Sequence, residues 1–216
     1  MIIRRVMTMN PVTAYSDMSM TEARSLMDKK QIGHLPVLDK NNVLAGIITK
    51  KDLLKAGPSP ATSLDMYEIS YLLSKLKVNK IMVKEVVTVD ENDVVEEAAR
   101  IMADRDIGCL PVMKGNILTG IITETDLFRF FVKAFGARRP GIRITLHVAE
   151  KPGQLEKLTH AVAVKGGNIA ALVSSEGDDP DHRRITIKIS GMSRFDIEEA
   201  IHALPEAELE DLREQT

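Results

Sequence analysis

Gly46-Ile47-Ile48-Thr49-Lys50-Lys51-Asp52-Leu53 recurs further along the chain as Gly120-Ile121-Ile122-Thr123-Glu124-Thr125-Asp126-Leu127. The stretch ahead of it recurs as well. Gly33-His34-Leu35-Pro36-Val37 returns as Gly108-Cys109-Leu110-Pro111-Val112, and the same register sets Met7 on Met82, Val12-Thr13 on Val87-Thr88, Ala23 on Ala98 and Met27 on Met102. So many coincidences, with one residue of slip in a turn, mark two copies of one unit that organise the chain as far as Phe135.

Each copy reads strand, helix, strand, strand, helix. In copy two, residues 86–89 are a short β-branched run, and Val94, Ala98, Ile101 and Met102 then follow at helical spacing with Asp93 placed to cap them. Two apolar runs come next, Leu110 to Met113 and Ile117 to Ile122, parted by the hairpin signal Lys114-Gly115-Asn116. Copy one turns instead on Asp39-Lys40-Asn41-Asn42. After Asp126, Leu127, Phe128, Phe131 and Phe135 share a helical face, and Gly136 is placed as the residue that closes the helix. Gly57-Pro58-Ser59-Pro60 breaks the chain between copies. Thr62, with Asp65 three residues on, then opens an amphipathic helix carrying Met66, Ile69, Leu72, Leu73 and Leu76, whose apolar face needs cover from the repeats or from a second subunit.

The repeated Gly-Ile-Ile-Thr-x-x-Asp stretch runs from a buried strand into a helix N-terminus. Such a terminus presents unpaired N–H groups and favours phosphate, the Thr hydroxyl adds a donor, and the Asp carboxylate can accept from two neighbouring hydroxyls of the kind a ribose presents. Shielded from water, bonds of that kind contribute about 1.5–3 kcal/mol each. Thr followed by Asp at a helix start is also what an ordinary cap looks like. Duplication in a matching context is what favours a ligand.

These paired segments resemble the CBS repeat, which occurs in tandem as a Bateman module. The resemblance implies that Asp52 and Asp126 hold ribose hydroxyls, that Thr49 and Thr123 lie near phosphates, and that the segments around Thr13 and Thr88 border the adenine. Copy one carries His34, Lys50 and Lys51 where copy two has Cys109, Glu124 and Thr125, so the Asp52 site is expected to tolerate more phosphate charge. The implied ligand is AMP, ADP, ATP or an S-adenosylmethionine-like compound acting as a regulator, with no catalytic cofactor.

Beyond Arg138-Arg139-Pro140-Gly141, Ile142, Ile144, Leu146 and Val148 alternate with Arg143, Thr145 and His147, the pattern of a strand with one buried face. A helical stripe of Leu155, Leu158, Ala161 and Val162 ends at Gly166-Gly167. Strands through Ile169 to Ser175 and Ile185, Ile187 and Ile189 flank the polar turn Asp178-Asp179-Pro180-Asp181, and a helix with Ile197, Ala200, Ile201 and Leu204 precedes a short strand near Leu209. The order βαββαβ is ferredoxin-like. Lys151-Pro152-Gly153-Gln154-Leu155 followed by Gly167-Asn168-Ile169 resembles the ACT domain, which implies either an amino-acid ligand near Gly153 and Asn168 or a part in dimerisation alone. Glu150 stands where ligand-binding members often carry Asn or Asp. The whole arrangement looks like the bacterial acetoin-utilisation regulatory proteins.

The expected fold class is therefore α/β (α+β): tandem CBS repeats of βαββα form, making a Bateman module, and a C-terminal ferredoxin-like ACT domain. The CBS pair is placed at residues 1–136, with repeat one over about 3–56, a linker helix over about 62–77 and repeat two over about 78–136. The ACT domain takes residues 142–216.

Composition narrows the function. A charged fraction of 28% with net charge −2 gives no electrostatic reason to expect nucleic acid or an anionic membrane as partner, and aromatics at 4% supply few stacking platforms. Cys109 is the one cysteine, which suits a reducing compartment, and no apolar run reaches the length of a signal peptide core or a membrane span. The expectation is a cytoplasmic homodimer or higher homo-oligomer. No Walker, Rossmann or Gly-x-Ser-x-Gly fingerprint is present, and His34, His147, His160, His182 and His202 show no His-Glu-x-x-His or carboxylate-clustered spacing, so neither catalysis nor a metal site is expected. A non-catalytic oligomerisation scaffold is the alternative to a ligand sensor.

Overall fold

The computed structural model describes residues 1–57 and 65–215. It divides into two units, Met1–Phe128 and Arg129–Thr216. In the first, β1 (Thr8–Met9) and β2 (Ala14–Tyr15) precede α1 (Met20–Lys30), β3 (His34–Leu38), β4 (Leu44–Thr49) and α2 (Lys50–Lys55). After α3 (Met66–Lys75) the pattern returns as β5 (Val89–Asp90), α4 (Val95–Arg105), β6 (Cys109–Lys114), β7 (Ile117–Thr123) and α5 (Glu124–Ala134), whose residues from Arg129 on fall in the second unit.

The duplication is one of register as well as order. β2 lies parallel to β3 and β3 antiparallel to β4, as β5, β6 and β7 do. His34 pairs with Thr49 and Val37 with Gly46, just as Cys109 pairs with Thr123 and Val112 with Gly120. The amide after each corner threonine bonds back to the matching glycine: Lys50 N donates to Gly33 O at 3.0 Å and Glu124 N to Gly108 O at 3.1 Å. Gly115, at φ +58°, and Asn116 make the two-residue hairpin of copy two, where the left-handed conformation favours glycine.

Each copy gives its leading segment to the other's sheet. β1, at the head of copy one, pairs with β7 of copy two through Thr8↔Ile121, while Val83, at the head of copy two, bridges Ile47 of copy one. The buried set Ala14, Met20, Ala23, Met27, Leu35, Val37, Ile48, Leu53 and Val78 forms the copy-one core, and a smaller group of Ile47, Cys109 and Ile121 with Val86 joins residues of both copies. Met27 and Met102 are core residues, at 0% and 4% exposure.

The caps depart from the sequence reading in instructive ways. α1 opens on a Ser19–Glu22 capping box. α4 is not capped by Asp93, as expected, but starts after Val94 with no side-chain cap. Asp93 Oδ2 instead accepts from Asp90 N at 2.9 Å, and the chain start does the capping, with Met1 O accepting from Val95 N at 2.9 Å. The run at 86–89 is strand only at Val89; Val86 packs against the group shared by the two copies. α3 is capped by Asp65, whose carboxylate accepts from Tyr67 N and Glu68 N; Thr62 lies outside the described residues. Leu73 and Leu76 pack on the copy-one core, whereas Tyr67, Tyr71 and Leu72 are exposed. Phe128, Phe131 and Phe135 on α5 are exposed too.

At the end of α5, Gly136 takes φ +61° while Gly136 N donates to Lys133 O and Ala137 N to Val132 O, a complete Schellman ending. Then follow β8 (Gly141–Ala149), α6 (Gln154–Val164), β9 (Asn168–Glu176), β10 (His182–Ser190), α7 (Arg194–His202) and β11 (Ala207–Gln215). The sheet is antiparallel in the order β11-β8-β10-β9. Ile142, Ile144, Leu146 and Val148 alternate inward from β8 against Ile185, Ile187 and Ile189 of β10 and against Leu158, Val162, Ile197 and Ile201 of the helices. The strand near Leu209 is longer than expected, with a bulge between Leu209 and Asp211. Alternation also understates how much is covered. Thr145 and Lys188, on the other face, are buried at 5% and 2%, Thr145 within hydrogen-bond reach of Thr186 and Lys188 Nζ donating to Gly136 O at 3.0 Å.

Candidate functional site

The strand-to-helix corner of copy one borders a cleft of about 470 Å³, within the range of small-molecule sites. Its residues come from both copies. Gly33, His34, Thr49, Lys50, Lys51, Asp52 and Lys55 stand on one side, and Asp106, Ile107, Gly108, Cys109 and Glu124 on the other, with Val83, Glu85, Val86 and Val87 supplied by the segment that crosses over. Of the expected nucleotide residues, His34, Thr49, Lys50 and Asp52 are thus brought together. Thr13 is half-buried beside β2 and Thr88 exposed beside β5, and neither lines the cleft; Val87 does so in that stretch.

Both corners are capping boxes. Thr49 N and Thr49 Oγ1 donate to Asp52 Oδ2 at 2.8 and 2.7 Å, and Asp52 N donates to Thr49 Oγ1 at 3.2 Å. Thr123 and Asp126 repeat the arrangement at 3.0, 2.7 and 3.3 Å, with Asp126 buried at 6% exposure. In copy one a single carboxylate oxygen takes the cap bonds, so Oδ1 of Asp52 is available as an acceptor. α2 has only six residues, and its dipole is correspondingly weak. Positive charge at the cleft rests on side chains instead: Lys50 pairs with Asp28 at 3.2 Å, while among the described residues no carboxylate pairs with Lys51 or Lys55. Lys55 was not expected at the site, although its place one turn beyond Lys51 signals it.

Electrostatics at the cleft floor bear on both copies at once. Burial lowers His34 below the usual imidazole range, against the pull of Glu124 and Asp52, so the ring is neutral near pH 7 and can donate from one nitrogen and accept at the other. Cys109 is pushed up to about 12, first by burial and then by Glu124 and Asp52. It stays a thiol through the physiological range, in keeping with an inert packing residue. Alkylation by iodoacetamide at pH 8.5 is expected to run at least about 100-fold slower in the folded protein than in urea, since an unperturbed thiol is half ionised there; equal rates would show the thiol to be open and ionised.

In the second unit, Gly153 precedes α6 at φ +89°, and a Cβ built there meets nothing within 4 Å. It borders a groove of about 340 Å³ with Glu150, Lys151, Gln154, Ser174 and Arg183. Asn168, at the exposed start of β9, is not among the lining residues. The charges that would hold an amino acid are already spent on each other. Arg183 pairs with Glu150, and Glu206 accepts from Lys151, Gln154 and Lys157 at 2.8, 2.6 and 3.2 Å. Those three bonds hold Glu206 at about 2. The clamp is therefore complete above the ordinary carboxylate range and is lost as pH falls toward 2. Sequence spacing could not show it, because Glu206 lies 49 to 55 residues from its partners and meets them only where β11 pairs with the end of β8. The same holds for His147, Asp179 and His182, which the fold gathers into one cluster.

Comparison with known proteins sorts the two units. Residues 3–59 and 78–133 match the CBS domain, and residues 140–211 match the TTHA0829-like ACT domain. L-aspartate semialdehyde sulfurtransferase of Methanocaldococcus jannaschii is 30% identical over 131 residues, 60% of this chain and 23% of the enzyme. A CBS domain-containing protein of Dictyostelium discoideum is 32% identical over 61% of this chain and 92% of its own length. Among solved structures, a Vibrio cholerae protein named for acetoin utilization (AcuB) superposes with a TM-score of 0.54 at 29% identity, over 64% of this chain and 95% of its own. The CBS domain pair of MJ0100, in complex with methylthioadenosine and S-adenosyl-L-methionine, superposes with a TM-score of 0.52 at 28% identity, over 64% and 98%. The chain spans less than a third of the length of the first curated relatives it matches.

Proposed function

Because this chain belongs to the CBS-domain family and carries an ACT-like domain behind its repeat pair, we propose that it is a regulatory ligand sensor whose Asp52 cleft holds an adenine nucleotide or adenosyl compound. The observation that carries this reading is the composition of that cleft. Asp52 offers one uncommitted carboxylate oxygen, Thr49 a hydroxyl, neutral His34 a switchable donor or acceptor, and Ile47, Val86 and Pro111 an apolar wall for a flat base. Lys51 and Lys55 add charge for phosphate, which favours AMP, ADP or ATP over a cationic sulfonium compound at this site. Thr123 and Asp126 form the second corner, the place for a second adenosyl group. A protein of the same fold holds such compounds in its CBS pair, which supports the ligand class. Relatives named as enzymes are matched over a minor part of their length, so their chemistry is not transferred here, and the CBS and ACT modules are read as regulatory. No helix among the described residues is long and apolar enough to cross a membrane.

The ligand acts by binding one arrangement of the protein more tightly than another. Whether the Gly153 groove accepts an amino acid depends on breaking the Glu150–Arg183 pair or the Glu206 clamp, each of which a ligand with its own carboxylate and ammonium could replace. A second reading, a scaffold for self-association, is favoured by one specific observation: capping alone accounts for Asp52 and Asp126. The exposed Phe128, Phe131 and Phe135 suit either reading, since both call for a homo-oligomer.

Thermal shift against AMP, ADP, ATP, methylthioadenosine and S-adenosylmethionine separates the two. A ligand at 100 times its dissociation constant adds about 2.7 kcal/mol to stability. Asp52→Asn is expected to weaken the responding ligand by roughly 10- to 150-fold, the value of about 1.5–3 kcal/mol of charge-assisted bonding. Ser19→Ala, which removes a cap with no part in the cleft, is expected to leave affinity unchanged. Equal affinities for wild type and Asp52→Asn, or a flat response to all five compounds, would leave the scaffold standing.

A further inference from the structure

We propose that His147, Asp179 and His182 form a binding site for a divalent ion of the zinc type. His147 lies on β8 and His182 heads β10; the register pairs Arg184 with His147 and His182 with Ala149, so the two imidazoles are diagonal neighbours on the sheet face opposite the isoleucine core. Their rings stack with centroids 4.3 Å apart and planes 22° from parallel. Asp179, in the turn before β10, holds His182 Nδ1 at 2.8 and 3.0 Å through its two carboxylate oxygens, and Asp181 N, donating to Oδ1 at 2.9 Å, fixes that carboxylate. One ligand atom from each of the three residues lies within 4.8 Å of the others.

A stacked histidine pair is an uneconomical way to build a sheet surface. His147 Nε2 is covered and has no hydrogen-bond partner among the described residues, and leaving a buried polar atom unmatched costs about 1–3 kcal/mol. A metal ion beside the stack would give that nitrogen a partner and draw the three donors together. Two imidazole nitrogens and one carboxylate oxygen are a borderline donor set, right for Zn²⁺, Co²⁺ or Ni²⁺ and poor for Mg²⁺ or Ca²⁺. Metal–nitrogen bonds of about 2.0–2.1 Å in a tetrahedral site place donors roughly 3.3 Å apart, so donors already within 4.8 Å of one another have no more than about 1.5 Å to close. The partial exposure of Asp179 and His182 leaves room for water as the fourth ligand.

The test uses the full chain, stripped with a chelator and titrated with Zn²⁺ by calorimetry and with Co²⁺ by visible absorption. One equivalent of each is expected to bind, with tetrahedral Co²⁺ bands, and excess Mg²⁺ is expected not to compete. His147→Ala and His182→Ala should each weaken uptake by at least about tenfold, the low end of what lost metal-site partners cost, while Cys109→Ser changes nothing. Should His147→Ala fail to fold by circular dichroism, His182→Ala, at the exposed end of its strand, decides alone. Absence of uptake, uptake that survives both histidine changes, or uptake lost on Cys109→Ser would overturn the proposal, the last by placing the ion in the His34–Cys109 cleft.

Discussion

Ile187→Ala is expected to lower the stability of the C-terminal unit by about 2–5 kcal/mol. Ile187 is fully buried on the central strand β10, opposite Ile144 of β8 and Leu172 of β9, within the core that α6 and α7 cover. Truncation there removes the transfer energy of three carbons and leaves a cavity that two strands hydrogen-bonded on either side cannot collapse to fill. In a unit of this size each kcal/mol moves the melting temperature by about 4–8 °C, so a drop of about 10 °C or more is expected, together with faster amide exchange along β8. The response of the CBS pair to adenosine compounds should persist at temperatures below the transition. Val164→Ala, at a position 70% exposed, serves as control and should stay within about 0.5 kcal/mol. Equal losses from the two substitutions would mean that the isoleucine layer is not where this unit's stability lies.

What the sequence exposes and what it hides divide along a physical line. The Gly-Ile-Ile-Thr-x-x-Asp and Gly-x-Leu-Pro-Val segments carry both strand register and corner geometry locally, so reading them twice yields the matching β2-β3-β4 and β5-β6-β7 pairings. Gly136 and the alternation through Ile142 and Val148 are equally local, and both become the expected structure. Hidden features each depend on a partner distant in sequence. Asp93 looks like a cap until Met1 O arrives to do that work, and Val83 looks like a linker until it bridges Ile47. Lys188 sits in a polar position of an alternating strand yet is buried by the turn at Gly136. The cleft partly follows the same rule: Thr49, Asp52, His34 and Lys50 are neighbours in motif and in space, whereas Glu124 and the stretch through Val83 and Val86 reach the cleft only because each copy lends a segment to the other.

That exchange of segments gives the last expected result. Gly46→Ala should destabilise the CBS pair by about 1–3 kcal/mol and weaken ligand binding, whereas the matching change Gly120→Ala should cost less than about 1 kcal/mol. The two glycines hold the same place in the repeat, and neither has an unusual backbone angle that would explain a difference. Their neighbours differ in kind. A Cβ on Gly46 would lie 2.8 Å from the backbone oxygen of Val83 as well as 2.5 Å from Met82 Sδ, while the atoms nearest a Cβ on Gly120 are all in the side chain of Met7, from 2.4 Å outward. Met7 is buried at 7% exposure, but its unbranched thioether chain adapts to crowding better than backbone or a branched residue would. Replacing glycine also removes unfolded-state freedom worth about 0.4–1 kcal/mol, which offsets the cost further at Gly120. Val83 has no such latitude, because its N–H and carbonyl are both bonded to Ile47 at 2.9 Å. Relief at position 46 must therefore come from moving the crossing segment, and Val83, Glu85, Val86 and Val87 of that segment form one wall of the cleft. Urea unfolding of the two variants, paired with calorimetry on whichever adenosine compound responds, measures both consequences. If Gly46→Ala/Met82→Ala recovered wild-type stability, the methionine alone would be responsible, and the segment contributed by copy two would not be the constraint that shapes the site.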